Sequence, residues 1–559
     1  MLRPKIIDTL KTYSWSQFKN DTVAGIIVGI VALPLAIAFA IASGVSPEKG
    51  LITAVVGGVI ISGLGGSRVQ IGGPTGAFVV IVYDIVLKHG VEGLAVATVL
   101  GGIMLCILGM SRMGSAIKFV PYPVIVGFTS GIAVIIFLSQ IKDLLGLGIT
   151  SMPAEFFGKC GEIVRHLHTI NPYAAATSGA TIVLVLLFLR VSKRIPGSFV
   201  AIIATTAVVH WFHLPVETIG SKFGEIPHTI PLPQLPRVDA VNLSELIRPA
   251  FTIAMLAGIE SLLSAIVADG MIGGKHRSNM ELVAQGLANI ASPLFGGIPA
   301  TGAIARTATN VHNGGRTPVA GIVHAVTLLL IMVVFGKWAS MIPLATLAGI
   351  LVIVAYRMGE WHSFAMVLRA PKSDTLVLVV TFLLTVVFDL TLAIEIGIVL
   401  AALLFIHRLS QTASVSEVTG EFFNEEDRDD PDALSRKVIP PGVEVFEISG
   451  PFFFGMASTF METMSNIEKN PAIRILRMRH VSSIDATALN ALRRVIAQSN
   501  HAGVTILLSG VQRNLLKQLK TSGIVRMIGE ENVLVNIDKA LARAAVLTTE
   551  AGGAGTADD

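Results

Sequence analysis

Charged residues are scarce in this sequence. Asp, Glu, Lys and Arg make up 14% of 559 residues, whereas 52% of the residues are hydrophobic. That balance excludes an ordinary soluble protein and indicates a chain surrounded largely by membrane lipid. The net charge of +4 does not indicate a nucleic-acid partner, because the basic residues lie in short loops between apolar segments.

Cysteines and enzyme motifs are equally scarce. Cys106 lies in an apolar run and Cys160 in a loop, which excludes a disulfide framework or a cysteine metal site. The sequence contains no phosphate-binding glycine-lysine loop, zinc-type cysteine cluster or nucleophile elbow. We therefore expect no enzyme activity and no cofactor other than a coupling proton or sodium ion.

Long apolar segments, many interrupted by Gly or Pro, recur from about residue 22 to residue 407. They predict an all-α membrane domain over residues 22–410 with fourteen spans. Residues 1–21 are mixed polar sequence without a cleavable signal, and they predict a cytoplasmic N-terminal segment.

Basic residues follow the even-numbered spans: Arg112, Lys118, Arg190, Lys193, Arg194, Lys275, Arg277, Arg357, Arg369 and Lys372. These loops should face the cytoplasm of a bacterial inner membrane, which also places both termini inside.

The composition becomes polar near residue 421. We predict a linker over 411–437, a soluble α/β domain over 438–546 and a disordered tail over 547–559. Strand patterns at 443–448, 472–478 and 504–509 alternate with helical patterns at 453–468, 485–500 and 511–522.

An internal repeat divides the membrane domain into two halves. Pro74-Thr-Gly-Ala-Phe78 matches Ala300-Thr-Gly-Ala-Ile304, and each run follows a Gly-Gly pair. Two weaker matches extend the repeat: 33–44 with 259–270, and 120–127 with 342–349. Each half then holds seven spans, and because seven is odd the second half must be inverted relative to the first.

The two Thr-Gly-Ala runs predict short half-helices whose N-termini meet near the middle of the membrane. A helix N-terminus carries about half a positive elementary charge, so two facing one cavity form an anion site. The predicted site comprises Thr75, Gly76 and Ala77 in one half and Thr301, Gly302 and Ala303 in the other. The alternative for such small residues is close helix packing.

Two charged residues within the apolar segments sharpen this hypothesis. Glu260 is costly in a span unless it meets water, a cation or a counter-charge, so we assign it a coupling role, with a structural salt bridge as the alternative. Ser264, one helical turn later, could share that site. Arg306 could neutralise a bound anion, pair with Glu260 or extend toward the cytoplasm.

Three further polar residues lie within or near spans. Asp84 and Glu395 have no counterpart in the other half, and we interpret them as boundary or packing charges. His324 is predicted to be a hydrogen-bonded core histidine.

The motifs Gly72-Gly-Pro-Thr-Gly-Ala77, Ala257-Gly-Ile-Glu-Ser-Leu-Leu263 and Phe295–Ala308 resemble the SulP (sulfate permease) family of anion transporters. They look especially like the bacterial branch that includes the enterobacterial aerobic dicarboxylate transporter. The resemblance implies a seven-plus-seven inverted repeat and a homodimer. In that fold, a core domain of spans 1–4 and 8–11 moves against a gate domain of spans 5–7 and 12–14. It also implies a substrate site lined by Phe39, Pro74, Thr75, Glu260, Ala305 and Arg306.

The soluble domain resembles the sulfate-transporter and anti-sigma-antagonist (STAS) domain through Ile484-Asp-Ala-Thr-Ala-Leu489. Ala486 stands where the antagonists carry a phosphorylatable serine. The resemblance implies a surface for a cytoplasmic protein partner rather than a phosphorylation switch.

Together these features predict a secondary active transporter that takes up a small anion coupled to a proton or a sodium ion, the latter near Glu260. Bicarbonate, sulfate and a C4-dicarboxylate fit equally well. A membrane anion sensor that signals through the soluble domain and a passive anion channel are the alternatives.

Overall fold

The computed structural model describes residues 2–114, 120–149, 152–153, 155–191, 196–224, 229, 231–237, 242–388, 390–412, 414–417, 437–465 and 471–553. The chain divides into two compact units, Met1–Ala401 and Ala402–Asp559.

The first unit is built almost entirely of helices. The first half contains α1 (Lys5–Thr9), α2 (Trp15–Ala42), α3 (Pro47–Leu64), α4 (Gly76–Met110), α5 (Tyr122–Leu145), α6 (Phe156–Arg165), α7 (Pro172–Val191), α8 (Gly197–Trp211) and α9 (Ile219–Phe223). The second half contains α10 (Leu243–Ile272), α11 (Ser278–Leu294), α12 (Ile304–His312), α13 (Pro318–Ala339), α14 (Leu344–Met358), α15 (Trp361–Val367), α16 (Lys372–Val387) and α17 (Leu390–Thr412), which continues into the second unit.

Fourteen segments among the described residues account for the predicted spans. Gly90 adopts φ 69° inside α4 and divides this long helix into spans 3 and 4, a conformation that glycine tolerates without steric cost. Spans 1 and 2 are α2 and α3; spans 5, 6 and 7 are α5, α7 and α8; spans 8–12 are α10–α14; and spans 13 and 14 are α16 and α17. Seven helices among the described residues are long and apolar enough to cross a membrane unaided.

A short two-stranded ribbon joins the two halves of the membrane domain, whose helical fold is confirmed. Strand β1 (Gly72–Gly73) pairs antiparallel with β2 (Thr301–Gly302), with Gly72 opposite Gly302 and Gly73 opposite Thr301. Extended backbone deep in such a domain must have its N–H and C=O groups paired, and the two segments supply partners for each other. Their opposite directions agree with an inverted repeat.

The helices form two groups that match the expected core and gate domains. In the core group, α4 packs against α10 and α11, while α13 packs against α2 and α3. In the gate group, α5 packs against α14 and α16, and α7 packs against α8 and α14. The weaker repeat match is also visible, because α5 and α14 both begin directly after a proline, Pro121 and Pro343.

The helix of the first span extends back into the predicted N-terminal segment 1–21. Helix α2 starts at Trp15 and includes Asp21, which is fully buried. The Asp21 carboxylate accepts hydrogen bonds from the Arg316 backbone N–H at 2.9 Å and from the Thr317 hydroxyl at 2.6 Å. The polar residue is accommodated because it satisfies the N-terminal end of α13.

The second unit is an α/β layer. Strands β3 (Ser414–Glu417), β4 (Val443–Ser449), β5 (Ile473–His480), β6 (Thr505–Ser509) and β7 (Val533–Leu534) form one sheet in that order, parallel except for the β3–β4 pair. The helices are α18 (Phe454–Ser465), α19 (Ala486–His501), α20 (Arg513–Thr521), α21 (Ile524–Ile528) and α22 (Ile537–Gly553). Alternate strand residues face α22 on one side and α18 and α19 on the other, so the predicted α/β fold is confirmed.

Two boundaries of this unit need correction. Strand β3 lies within the predicted linker 411–437, where it completes the sheet by pairing with the edge of β4. Helix α22 enters the predicted disordered tail 547–559 because Leu547 packs against the sheet. Residues 418–436 and 554–559 lie outside the described part of the chain.

Candidate anion-binding site

A cavity of about 1400 Å³ lies between the core and gate groups. Eight of the predicted site residues line it: Phe39, Thr75, Gly76, Ala77, Glu260, Ala303, Ala305 and Arg306. Its mouth is lined by Val120, Pro196, Gly314 and Glu360, which follow spans 4, 6, 10 and 12. The cavity therefore opens on the side where the loops after even-numbered spans lie.

Both half-helices begin at the cavity without a side-chain cap. Helix α4 starts at Gly76 after Thr75, and α12 starts at Ile304 after Ala303; neither preceding side chain bonds the first turn of its helix. The first N–H groups of a helix have no partner within the helix. They remain available to an anion in the cavity, and their partial positive charge favours one.

The Thr75 hydroxyl is directed at Glu260 instead of its own helix. Thr75 Oγ1 donates a 2.8 Å hydrogen bond to Glu260 Oε2. This contact joins the start of span 3 to the middle of span 8. It places a carboxylate beside the uncapped α4 N-terminus. A change in the charge of Glu260 therefore changes the electrostatic potential at the position where an anion binds.

Arg306 is buried, with 2% of its surface exposed, so it does not extend toward the cytoplasm. Its Nη2 donates to the Pro74 carbonyl, while Nη1 has no hydrogen-bond partner within the described residues. Pro74 thus holds Arg306 rather than lining the cavity. Arg306 and Glu260 lie near each other but form no ion pair within 4.0 Å among the described side chains, which leaves the arginine charge available to a ligand.

Two glycines shape the space around these groups. A Cβ on Gly73 would lie 2.7 Å from Arg306 Nη1, inside van der Waals contact. A Cβ on Gly76 would lie 3.3 Å from Met358 Sδ and 3.4 Å from Phe39 Cε1. The glycines therefore leave room for the arginine at the first position and for a ligand at the second.

Thr301 and Gly302 do not line the cavity. The Thr301 hydroxyl donates to the Ala257 carbonyl at 3.1 Å and contacts Ser261 Oγ at 2.8 Å. The Gly302 N–H donates to the same serine oxygen at 3.1 Å. These residues hold the ribbon against α10. In this half of the repeat, the Thr-Gly pair therefore serves packing, which was the alternative to anion binding.

Ser264 is also turned away from the cavity. Its hydroxyl donates to Thr307 Oγ1 at 3.2 Å, and that oxygen accepts the Ile71 N–H at 3.0 Å. Ser264 is not among the residues that line the cavity beside Glu260. Among the described residues, no group of three or more His, Cys, Asp or Glu side chains is placed to hold a metal ion.

The other polar residues of the spans form local contacts. Asp84 pairs with Lys88 at 2.8 Å within α4, and Glu395 pairs with Arg248 at 2.8 Å, as boundary or packing charges would. His324 is fully buried as predicted, but neither ring nitrogen has a hydrogen-bond partner of good geometry in the described structure. The ring packs beside Gly58, and the backbone of Gly321 interacts with it, so the hydrogen-bonded part stays a prediction.

The gate wall of the cavity was not identified from the sequence. It includes Val124 and Phe128 of α5 and Ile350 and Val354 of α14. Apolar residues four positions apart look the same whether they face lipid, a neighbouring helix or a cavity. The weak repeat match of 120–127 with 342–349 could have indicated this wall, because it relates α5 to α14, the two helices that form it.

Comparisons with known proteins assign the family. The model of the sulfate permease family matches residues 18–381, and the STAS domain model matches residues 436–544. The YvdB protein of Bacillus subtilis (strain 168), provisionally named a sulfate transporter, is 42% identical over 95% of this chain and 98% of its own length. The bicarbonate transporter BicA of Picosynechococcus is 29% identical over 94% of this chain and 95% of its own length.

The fold is that of a solved mammalian transporter. The structure of murine solute carrier 26 family member A9, described as an anion transporter in the inward-facing state, has a TM-score of 0.87 at 18% identity. The match covers 98% of this chain and 94% of that chain. The chain therefore belongs to the sulfate permease family, as a multi-pass membrane transporter and not an enzyme, with a C-terminal STAS domain.

Proposed function

We propose that this protein is a secondary active transporter that takes up a small anion together with a proton or a sodium ion. The core domain would carry both past the gate domain. The observation that carries the proposal is the meeting of two uncapped helix N-termini, at Gly76 and Ile304, in one cavity beside Glu260.

The charges around the site explain why the anion and the coupling ion bind together. An anion beside Glu260 is repelled by the carboxylate and attracted by the helix ends and by Arg306. Binding of a proton or sodium ion at Glu260 removes the repulsion, so the two ligands bind best together. We favour the proton, because sodium binds through several oxygen ligands and Ser264 is not among the residues that line the cavity.

The substrate belongs to the class of small inorganic anions or short dicarboxylates. The names of the relatives, which include sulfate and bicarbonate transporters, support the first two candidates, and a C4-dicarboxylate remains part of the proposal. The cavity of about 1400 Å³ is large enough for any of them, so size alone does not discriminate.

We place the protein in a bacterial inner membrane with both termini in the cytoplasm, as a homodimer whose STAS domain contacts a cytoplasmic protein. With that orientation the cavity mouth opens to the cytoplasm. The basic residues Arg112, Arg190 and Arg357 lie at this end of the helices, in agreement with the positive-inside rule.

Uptake into proteoliposomes tests the proposal. Labelled sulfate, bicarbonate and succinate are each supplied with and without sodium at two external pH values. We expect accumulation of one anion above equilibrium, driven by the proton or sodium gradient. Flux that follows the anion gradient alone would identify a passive channel instead.

Glu260→Gln tests the coupling residue. The amide keeps the size of the side chain and cannot take a proton, so we expect residual anion flux that no longer depends on the coupling ion. Ser264→Ala is the matched control one turn away on α10 and should retain the dependence. An unchanged pH and sodium dependence in Glu260→Gln contradicts the coupling role.

A further inference from the structure

The core and gate groups are connected beyond the closed end of the cavity. On α2 the cavity is lined every fourth residue from Val23 to Phe39, so its inner end lies near the end of that helix. Gly44 follows α2 and lies against Tyr83, since a Cβ on Gly44 would be 3.2 Å from the tyrosine ring. Tyr83 therefore marks the side of the fold opposite the cavity mouth.

Tyr83 makes the first connection. It belongs to α4 in the core group, and its hydroxyl donates a 2.6 Å hydrogen bond to the Met152 carbonyl in the connection after α5 of the gate group. Lys159 of α6 places its ammonium 5.3 Å from the centroid of the Tyr83 ring, within the range of a cation–π contact. Only 4% of Lys159 is exposed, so the tyrosine covers the lysine.

Arg248 and Glu395 make the second connection. Arg248 of α10 belongs to the core group, and Glu395 of α17 belongs to the gate group. The arginine donates from Nη2 at 2.8 Å and from Nε at 3.3 Å to the two carboxylate oxygens. Arg248 precedes Glu260 by twelve residues, about 18 Å along the helix, so this pair also lies away from the site.

We propose that these two connections form a latch that holds the transporter in the state with the cavity open at its mouth. Movement of the core domain against the gate domain separates Tyr83 from Met152 and Lys159, and Arg248 from Glu395. A cavity that opens on the other side then needs both connections broken. This inference rests on the proposed core movement, and it assigns a role to Glu395 beyond that of a boundary charge.

Thiol labelling measures the latch directly. In a chain carrying Cys106→Ser and Cys160→Ser, one reporter is Ser43→Cys, at a position 1% exposed next to Gly44. The other is Ile27→Cys, on the cavity wall near the mouth. A membrane-impermeant maleimide is applied from each face of vesicles of known orientation. Without latch changes, the Ser43 position should be protected and the Ile27 position reactive from the mouth side.

Glu395→Gln removes the ion pair of the second connection, and Lys159→Met removes the cation–π contact of the first. We expect at least about a threefold faster labelling at the Ser43 position from the face opposite the mouth, and slower labelling at the Ile27 position. The reversed pair Arg248→Glu with Glu395→Arg should return both rates toward their original values. Asp143→Asn is the matched control, because Asp143 of α5 pairs at 3.6 Å with Lys222 of α9, in the connection after span 7, and neither belongs to the core group.

Labelling rates in both latch variants that equal those of Asp143→Asn, with unchanged thermal stability, would overturn the latch. The readout needs no transported anion, so its failure is distinct from failure of the uptake experiment. A protein that transports but shows no change at either reporter refutes only the latch. A protein that shows the reporter changes without uptake refutes only the proposed transport.

Discussion

Gly73 leaves the space that the Arg306 guanidinium occupies. Replacement by Ala would place a methyl group 2.7 Å from Nη1 and displace the arginine from its position in the cavity wall. We predict that Gly73→Ala raises the anion KM about tenfold or more, since a small displacement of a positioning group is costly. Uptake kinetics in proteoliposomes provide the measurement.

Gly63→Ala is the control for that substitution. Gly63 lies in α3, and a Cβ there meets nothing within 4 Å, so this variant should transport normally. Equal KM values for the two variants would show that Arg306 tolerates displacement and does not contribute to anion binding.

Thr75 supplies the hydrogen bond that orients Glu260. Thr75→Val keeps the shape of the side chain but removes the 2.8 Å donor. A hydrogen bond to a charged group contributes about 1.5–3 kcal/mol, so we predict uptake at low anion concentration at least about tenfold slower. Thr75→Ser, which retains the hydroxyl, should stay within about twofold of the unmodified protein. If valine and serine behave alike, the hydroxyl has no role in transport.

At this scale the sequence identified the motif but not the role of each residue in it. Thr75 and Ala303 line the cavity, whereas Thr301 and Gly302 of the same repeated motif hold the ribbon against Ser261. The two copies differ because one threonine faces Glu260 and the other faces a buried serine. That difference depends on α10, which lies between the copies and is related to neither motif by sequence.

At the level of elements, Asp21 connects the first span, α2, to the eleventh span, α13. Its carboxylate also accepts hydrogen bonds from the Tyr13 hydroxyl at 3.1 Å and the Gln17 amide at 3.0 Å. Burial, together with the nearby Asp21 charge, raises the pKa of Tyr13 to about 12, so the tyrosine stays protonated and remains a donor at neutral pH.

We predict that Asp21→Ala destabilises the membrane domain by about 1–3 kcal/mol, because it leaves buried donors at the start of α13 without a partner. The measurement is the thermal unfolding midpoint of the purified protein in detergent. Lys19→Ala, at an exposed position of the same helix, serves as the control. A midpoint that falls no further in Asp21→Ala than in this control would contradict a capping role.

The residues at which helices and strands begin and end were harder to predict than the presence of these elements. The alternation of apolar residues identified β4, β5 and β6, whereas β3 was assigned to the linker because its four residues, Ser-Val-Ser-Glu, contain one apolar side chain. It becomes a strand because β4 offers an edge to pair with. Such long-range pairing leaves no signal in a short polar segment.

For the molecule as a whole, the apolar segments predicted the number of spans and the repeat predicted the inversion, whereas the two groups of helices were implied by the family resemblance. The side on which the cavity opens could not be predicted. The same sequence must allow the cavity to open on either side when the core domain moves. In the proposed latch the open side depends on contacts between distant residues such as Arg248 and Glu395, whose pairing no sequence pattern indicates.

Cross-linking the two groups tests whether relative movement is required for transport. Cysteines at positions 248 and 395, in a chain carrying Cys106→Ser and Cys160→Ser, are joined by a short bifunctional thiol reagent. We predict that this treatment abolishes uptake, because the core can no longer leave the gate, while equilibrium binding of the anion at the open cavity persists. Cysteines at positions 143 and 222 join α5 of the gate group to α9, which follows span 7, and the same reagent there should leave uptake largely intact. Uptake that survives the 248–395 cross-link would mean that the anion crosses a fixed structure, as in a channel, and that core movement is not part of the transport cycle.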